Sequence, residues 1–275
     1  MANKLSEMAP DNSQLLYLWE QRTLYIGPVN DPLNISTGAS TIMFALDKPI
    51  QFKTSNMVKA IKCRSLLLPA GTEVAIDTQG GRIANCTLDP LGKDLTTLSK
   101  LMNKQSDKSY YQLKNENVQI EKFRSICSSP SDSHETLASF METLNINNKR
   151  YTNVIDQRIK RVIELIQNTI SENLSQSELA NAANISPSRL SQLFKEQTGL
   201  PVRRYRLWYR LYTAAYAVGQ GKNLTEAAAF AGFTDSSHFN RTVRSMLNIK
   251  PSYIFSCSNP VIILKQAQLP NKQSA

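Results

Sequence analysis

The chain has 275 residues with a formal net charge of +10, so it is long enough for two self-supporting domains and basic enough to favour partners that carry negative charge. Charged residues make up only 20% of it, which excludes a basic disordered tail as the source of that charge. Cys63, Cys86, Cys127 and Cys257 form no CxxC pair, which argues against both a zinc site and a disulfide framework.

In chain order, Met1 to Pro10 carries Lys4 and Glu7 and no apolar stretch of the kind that opens a secretory signal. No apolar run approaches the ~20 residues that would span a bilayer, so a cytoplasmic protein without membrane contact is expected. Residues 20–90 read as short extended segments broken by turns. Thr41 to Leu46 closes at Asp47-Lys48-Pro49, Ser65 to Leu68 stops at Pro69-Ala70-Gly71, Glu73 to Asp77 meets Gly80-Gly81, and Arg82 to Leu88 ends at Asp89-Pro90. Closely spaced strands of this kind predict an antiparallel barrel or sandwich. From Leu95 to Leu144 the spacing of Leu95, Leu98, Leu101 and Met102 predicts helix, interrupted by a polar loop at 128–133. Leu98, Leu101 and Met102 are candidates for a homodimer contact or for a cap on the strands.

The polar stretch 145–152 marks a boundary, and everything after it reads as helical. This region also holds most of the charge excess, with 13 Lys and Arg against 7 Asp and Glu over residues 155–255 but 17 against 15 over 1–154. Ile159, Val162, Ile163, Ile166 and Ile170 form the buried stripe of an amphipathic helix. Ser175-Gln176-Ser177-Glu178 is a capping box that starts a helix burying Leu179 and Ala182. Ser186-Pro187 caps the next, whose Leu190, Leu193 and Phe194 face inward while Ser188, Arg189, Ser191, Gln192 and Lys195 face outward, until Thr198-Gly199 ends it. Pro201 opens a long helix through Val218, with Leu207, Leu211, Ala214, Ala215 and Val218 inward and Arg203, Arg204, Arg206 and Arg210 interleaved with aromatics. The pattern then repeats. Thr225 caps a short helix, Gly232-Phe233 turns, and Asp235 caps a last helix that buries Phe239, Val243, Met246 and Leu247 and exposes Ser236, Ser237, Asn240, Arg241 and Arg244. Asn248 caps its end and Pro251 forbids continuation.

Outward faces of short polar and long donor side chains suit base edges and phosphates in a major groove. Two such units in series, joined by one long helix, resemble the DNA-binding domain of the AraC/XylS family of transcription regulators. The resemblance rests on Ser186 to Lys195, on Ala231 to Arg241 and on Pro251-Ser252-Tyr253, and covers residues 155–255. It implies two recognition helices about one DNA turn apart (~34 Å), with base reading by Ser188 and Gln192 and by Ser236, Ser237 and Arg241. The family usually has Phe where Val243 stands and Arg where Ile254 follows Tyr253.

Upstream, Ser65 to Glu73, Gly80-Gly81-Arg82 and Leu88-Asp89-Pro90 resemble the cupin-like sensor barrel found before many such domains. Metal-binding cupins use a histidine cluster, and the only upstream histidine is His134, so no metal or other cofactor and no enzymatic activity is expected. Lys62, Arg64 and Arg82 are the cations near the strands and candidates for an anionic effector.

The chain is therefore expected to be an α+β protein: a cupin-like antiparallel barrel with a helical segment over residues 1–150, an AraC-type domain over 151–256 and a tail over 257–275. The implied function is that of a sequence-specific regulator of transcription, an activator in the usual case. Double-stranded DNA, RNA polymerase, a small effector and a second copy are the implied partners. A regulator controlled by protein contacts and a cupin-like enzyme with a DNA-binding appendage are the alternatives. The tail's Val261-Ile262-Ile263-Leu264 would pack back on the body or mediate association.

Overall fold

The structure, a computed structural model, describes residues 14–19, 22–88, 94–128, 133–144, 156–247 and 261–265. Strands β1 (Gln14–Leu18), β2 (Thr23–Pro28), β3 (Leu33–Ser36), β4 (Thr41–Ala45), β5 (Ile50–Thr54), β6 (Ile61–Cys63), β7 (Ser65–Leu68), β8 (Glu73–Asp77) and β9 (Arg82–Thr87) come first. A short helix α1 (Asp94–Ser99) leads into a hairpin, β10 (Met102–Ser106) and β11 (Ser109–Leu113), followed by α2 (Glu116–Ser128) and α3 (Ser133–Thr143). The hairpin corrects the expectation of helix throughout Leu95–Leu144. Leu95, Leu98, Leu101 and Met102 mimic helical spacing, but Met102 pairs with Leu113 across the hairpin and Tyr110 and Tyr111 pair with β7.

With a last strand, β12 (Val261–Lys265), the strands form two sheets, ordered β10-β11-β7-β4-β9-β2-β1-β12 and β3-β8-β5-β6, and they face each other as an open sandwich without closing into a barrel. Alternation along β4 and β9 explains the layering, because a strand buried on both faces must be apolar on both. Ile42, Phe44, Ala84 and Cys86 face α2 and α3, where Phe44 meets Phe123 and Phe123 meets Phe140. On the other face, Met43 and Ile83 meet Phe52 and Ile76 of the smaller sheet. A fully buried pair, Arg22 to Asp94 at 2.7 Å, ties the β1–β2 turn to the start of α1. Leu98 is 0% exposed, and the partly exposed Leu101 and Met102 pack against the same core, so these side chains cap the strands.

The second domain holds α4 (Gln157–Asn168), α5 (Gln176–Ala182), α6 (Pro187–Thr198), α7 (Val202–Gly219), α8 (Leu224–Phe230) and α9 (Ser236–Leu247). The Ile159 stripe of α4 is buried as its spacing requires. On α5 the inward residues are Leu179, Ala180 and Ala183, whereas Ala182 is exposed. Helix α7 is buried on several sides, so it serves as the domain's axis, with Tyr205, Trp208, Tyr209 and Tyr212 stacked along it.

Beyond this domain, β12 (Val261–Lys265) returns to the large sheet and lies parallel to β1, with Gln14 opposite Val261 and Leu18 opposite Lys265. The tail's apolar run therefore packs back on the body, as the edge strand of the N-terminal sheet.

Candidate nucleic-acid interface and the cavity beneath it

Two short-helix, turn, helix units flank α7. In the first, the Ser175 hydroxyl accepts from the Glu178 N–H and the Glu178 carboxylate accepts from the Ser175 N–H, at 3.2 and 2.6 Å. Those bonds hold the Glu178 carboxyl below its usual range, the backbone bond contributing most. Asn184 makes the turn in left-handed conformation (φ 53°), which asparagine tolerates better than most residues. Ser186 then caps α6 through the Arg189 N–H, with Pro187 in the first turn, and Gly199 ends it at φ 74°.

In the second unit the cap is Asn223, not Thr225. Its side chain accepts from the Glu226 N–H at 3.0 Å, and Glu226 reciprocates on the Asn223 N–H at 3.1 Å. Both residues suit an N-cap, but only Asn223 has a glutamate three positions on. The turn uses Gly232 (φ 78°), where a Cβ would sit 2.7 Å from the Ile170 carbonyl oxygen and from Ser171 Cα. Asp235 caps α9, accepting from the His238 N–H at 2.6 Å, and that bond holds its carboxyl below the ordinary value.

On α6, Ser188, Arg189, Gln192 and Lys195 are exposed. Arg189 donates to Gln192 Oε1 at 3.0 Å and Gln192 donates to Glu196 at 2.9 Å, so this outward face is held by its own hydrogen bonds. Ser191 is exposed as well, donating to the Pro187 carbonyl and accepting from Gln176 of α5. On α9, Ser236, Ser237 and Arg241 are exposed and Asn240 is half-buried, while the side chain of Arg244 lies outside what the structure describes. Met246, Leu247, Asn248, Pro251, Tyr253 and Ile254 likewise fall beyond the described side chains.

The basic cluster of α7 divides. Arg203 is exposed. Arg206 donates to the carbonyls of Leu174 and Glu172, and Arg210 to those of Ile170 and Glu172, so both close the loop after α4; burial lowers the pKa of each. Arg204 donates to the carbonyl of Ser36 in β3 and so fastens α7 to the N-terminal domain.

Between the domains lies a cavity of about 180 Å³. Its floor is the face of the large sheet opposite α2 and α3, with Leu16 and Leu18 of β1, Thr23 and Tyr25 of β2, Thr41 and Met43 of β4, and Ile83, Asn85 and Thr87 of β9. Its roof is Trp208, Leu211, Tyr212 and Ala215 of α7 together with Phe239 and Val243 of α9. The inner face of α9 is thus a wall of the cavity. Nothing in the sequence spacing located it, because floor and roof lie far apart along the chain.

The expected effector cations sit elsewhere. Lys62 is exposed on β6, Arg64 donates to Asn117 at 2.7 Å, and Arg82 pairs with Asp47 at 2.9 Å on the surface. None of the three lines the cavity.

The geometry can be set beside known proteins. Residues 179–255 match a family model described as a helix-turn-helix domain. The transcriptional activator RhrA of Rhizobium meliloti is 34% identical over 89 residues, spanning 31% of this chain and 28% of that protein. The Msm operon regulatory protein of Streptococcus mutans is 26% identical over 115 residues, 42% of this chain and 39% of that one. The chain thus spans under half the length of these curated relatives. Among solved structures, ToxT K231A from Vibrio cholerae superposes with a TM-score of 0.56 at 12% identity, over 85% of this chain and 96% of that one. A ToxT structure described as unsaturated fatty acid bound gives 0.53 at 14% identity, over 90% and 96%. The overall two-domain fold is therefore shared with ToxT. The C-terminal third is a double helix-turn-helix domain. It is a domain of the AraC/XylS family.

Proposed function

We propose that the chain is a sequence-specific DNA-binding regulator of transcription, an activator working with RNA polymerase in the cytoplasm, whose DNA grip answers to a small effector held between the domains. The observation that carries the DNA reading is the pair of capped helices α6 and α9, which precede and follow α7 along the chain, each with an outward face of donors. Ser188, Gln192, Ser236, Ser237 and Arg241 read base edges in this scheme, while Arg189, Lys195, Arg203, Asn240 and Arg244 steady the phosphates or the reading side chains. Ser191 supports the first unit through Gln176, and Arg204 joins the domains and reaches phosphate only by leaving Ser36. No catalytic role is assigned to any residue.

The effector part rests on the cavity, since a molecule placed there touches α7 and the inner face of α9 at once. That ToxT is described with a bound fatty acid supports an effector site in this fold.

The test is selection of genomic fragments on the full-length protein, sequencing, and titration of the recovered site over a range of salt. A shared motif and a steep fall of affinity with salt are expected, because bound Lys and Arg release counterions from phosphate. Unselective recovery of fragments, or a flat log-log salt plot, would overturn the reading.

A further inference from the structure

We propose that the cavity between the domains takes an uncharged, mainly apolar molecule with one oxygen head group, oriented by Asn85, and not an anion. This rests on the effector reading above and names the chemistry of that site.

Among the described residues, the lining holds no Lys, Arg, His, Asp or Glu. An ionised carboxylate moved into such a wall loses its hydration with no counter-charge, which is among the most expensive burials a protein can make. The polar groups present are largely committed. Tyr25 donates to the Pro28 carbonyl at 2.9 Å and Thr37 to the Pro69 carbonyl at 2.7 Å. Thr23 and Thr87 bond each other at 2.6 Å. The Thr41 hydroxyl, with one proton, lies 2.7 Å from the Cys86 carbonyl and 2.8 Å from Asn85 Oδ1. Thr41 thus holds one end of the Asn85 amide, and the other end, the amide nitrogen, is left to serve a ligand oxygen. Asn85 stands on the cavity face of β9 with Ile83 and Thr87, while Ala84 and Cys86 point to the opposite core.

Size sets the next limit. A dry apolar cavity of roughly 150 Å³ accepts a single aromatic ring, so about 180 Å³ that opens toward solvent suits a one- or two-ring molecule or a chain of like bulk. The roof at α9 is set by Val243, a small side chain that leaves space beneath the helix. One cation lies near. Arg204 sits one turn before Trp208 on α7; it donates to the Ser36 carbonyl, its Nε is buried without a hydrogen-bond partner, and it does not line the cavity.

The test uses full-length protein titrated calorimetrically at neutral pH with 1-naphthol, which is uncharged, and 1-naphthoate, which is an anion of similar shape. Saturable 1-naphthol binding, at least about tenfold tighter than 1-naphthoate, is expected. Val243→Phe, which fills the space under α9, should abolish it. Ala215→Leu at the other side of the roof should do the same, and each variant is checked for a cooperative unfolding transition. Asn85→Leu should cut the preference for 1-naphthol over naphthalene by about fivefold. Equal or tighter binding of 1-naphthoate would overturn the proposal, and loss of that binding in Arg204→Gln would assign an anion site instead. Failure of both probes to saturate would overturn it too. None of these outcomes touches the DNA reading, because the genomic selection is scored with no ligand present.

Discussion

The two helix-turn-helix units carry the same local grammar and meet different surroundings. Both start from a reciprocal capping box, and both turn on a residue of positive φ. In the first unit, Leu190, Leu193 and Phe194 pack inside their own domain, against the α4 stripe and Tyr205. In the second, Phe239 and Val243 look across the cavity at the N-terminal sheet, and α9 lies beside β3. The first unit therefore packs mainly within its own domain, whereas the second also borders the N-terminal sheet.

The turns give the sharpest way to break this comparison. Gly232→Ala places a Cβ in a disfavoured conformation and 2.7 Å from backbone atoms of residues 170 and 171. It should cost about 3 kcal/mol in denaturant unfolding of the full chain, strain and displaced backbone together. Asn184→Ala meets only the conformational cost, about 1 kcal/mol. Equal losses would mean that the second turn is no more tightly seated than the first.

The reading faces come next. Gln192→Ala and Arg241→Ala should each cost ~1–3 kcal/mol on the selected site and little on a scrambled duplex, measured at one fixed salt concentration. If the second unit alone answers to the N-terminal domain, a ligand for the cavity should change the Arg241 effect more than the Gln192 effect. Unchanged affinity ratios in both variants would remove these faces from base reading.

Much of this architecture was legible in the sequence because it is written locally. Ser175 with Glu178, Ser186 with Pro187, and Asp235 mark helix starts within four residues. The β10–β11 hairpin was hidden because the leucines ahead of it keep a helical interval, and only the pairing of Tyr110 and Tyr111 with β7 settles the segment as strand. Arg204 and Arg206 sit two positions apart in one basic run, yet one bonds a strand from the other domain and the other closes a loop of its own. Which partner an arginine meets depends on tertiary contacts that no short window contains.

The smallest expected effect concerns acid. Asp156, the cap of α4, is held at about 2 against an ordinary 3.8, first by the side-chain hydrogen bond from Arg158 and then by its N–H. A folded pKa below the unfolded one means stability that is complete above about 4 and lost as the pH falls through about 2. Urea midpoints of wild type and Asp156→Asn should differ at pH 5 and converge by pH 2; parallel curves would show that this carboxylate does nothing for the first unit.

The parallel pairing of β12 with β1 has a consequence for the order in which the molecule is built. A ribosome releases β1 early, and the strand that covers its outer edge emerges only after the whole DNA-binding domain has been made. Until then that edge is an open template for another strand, shielded by nothing among the segments already synthesised that the structure describes. The finished chain gains from the arrangement, because the segment beyond the DNA-binding domain returns to the N-terminal sheet as its edge strand. A protease cut between Thr143 and Asp156 would leave two pieces still laced together by the ladder from Gln14–Val261 to Leu18–Lys265.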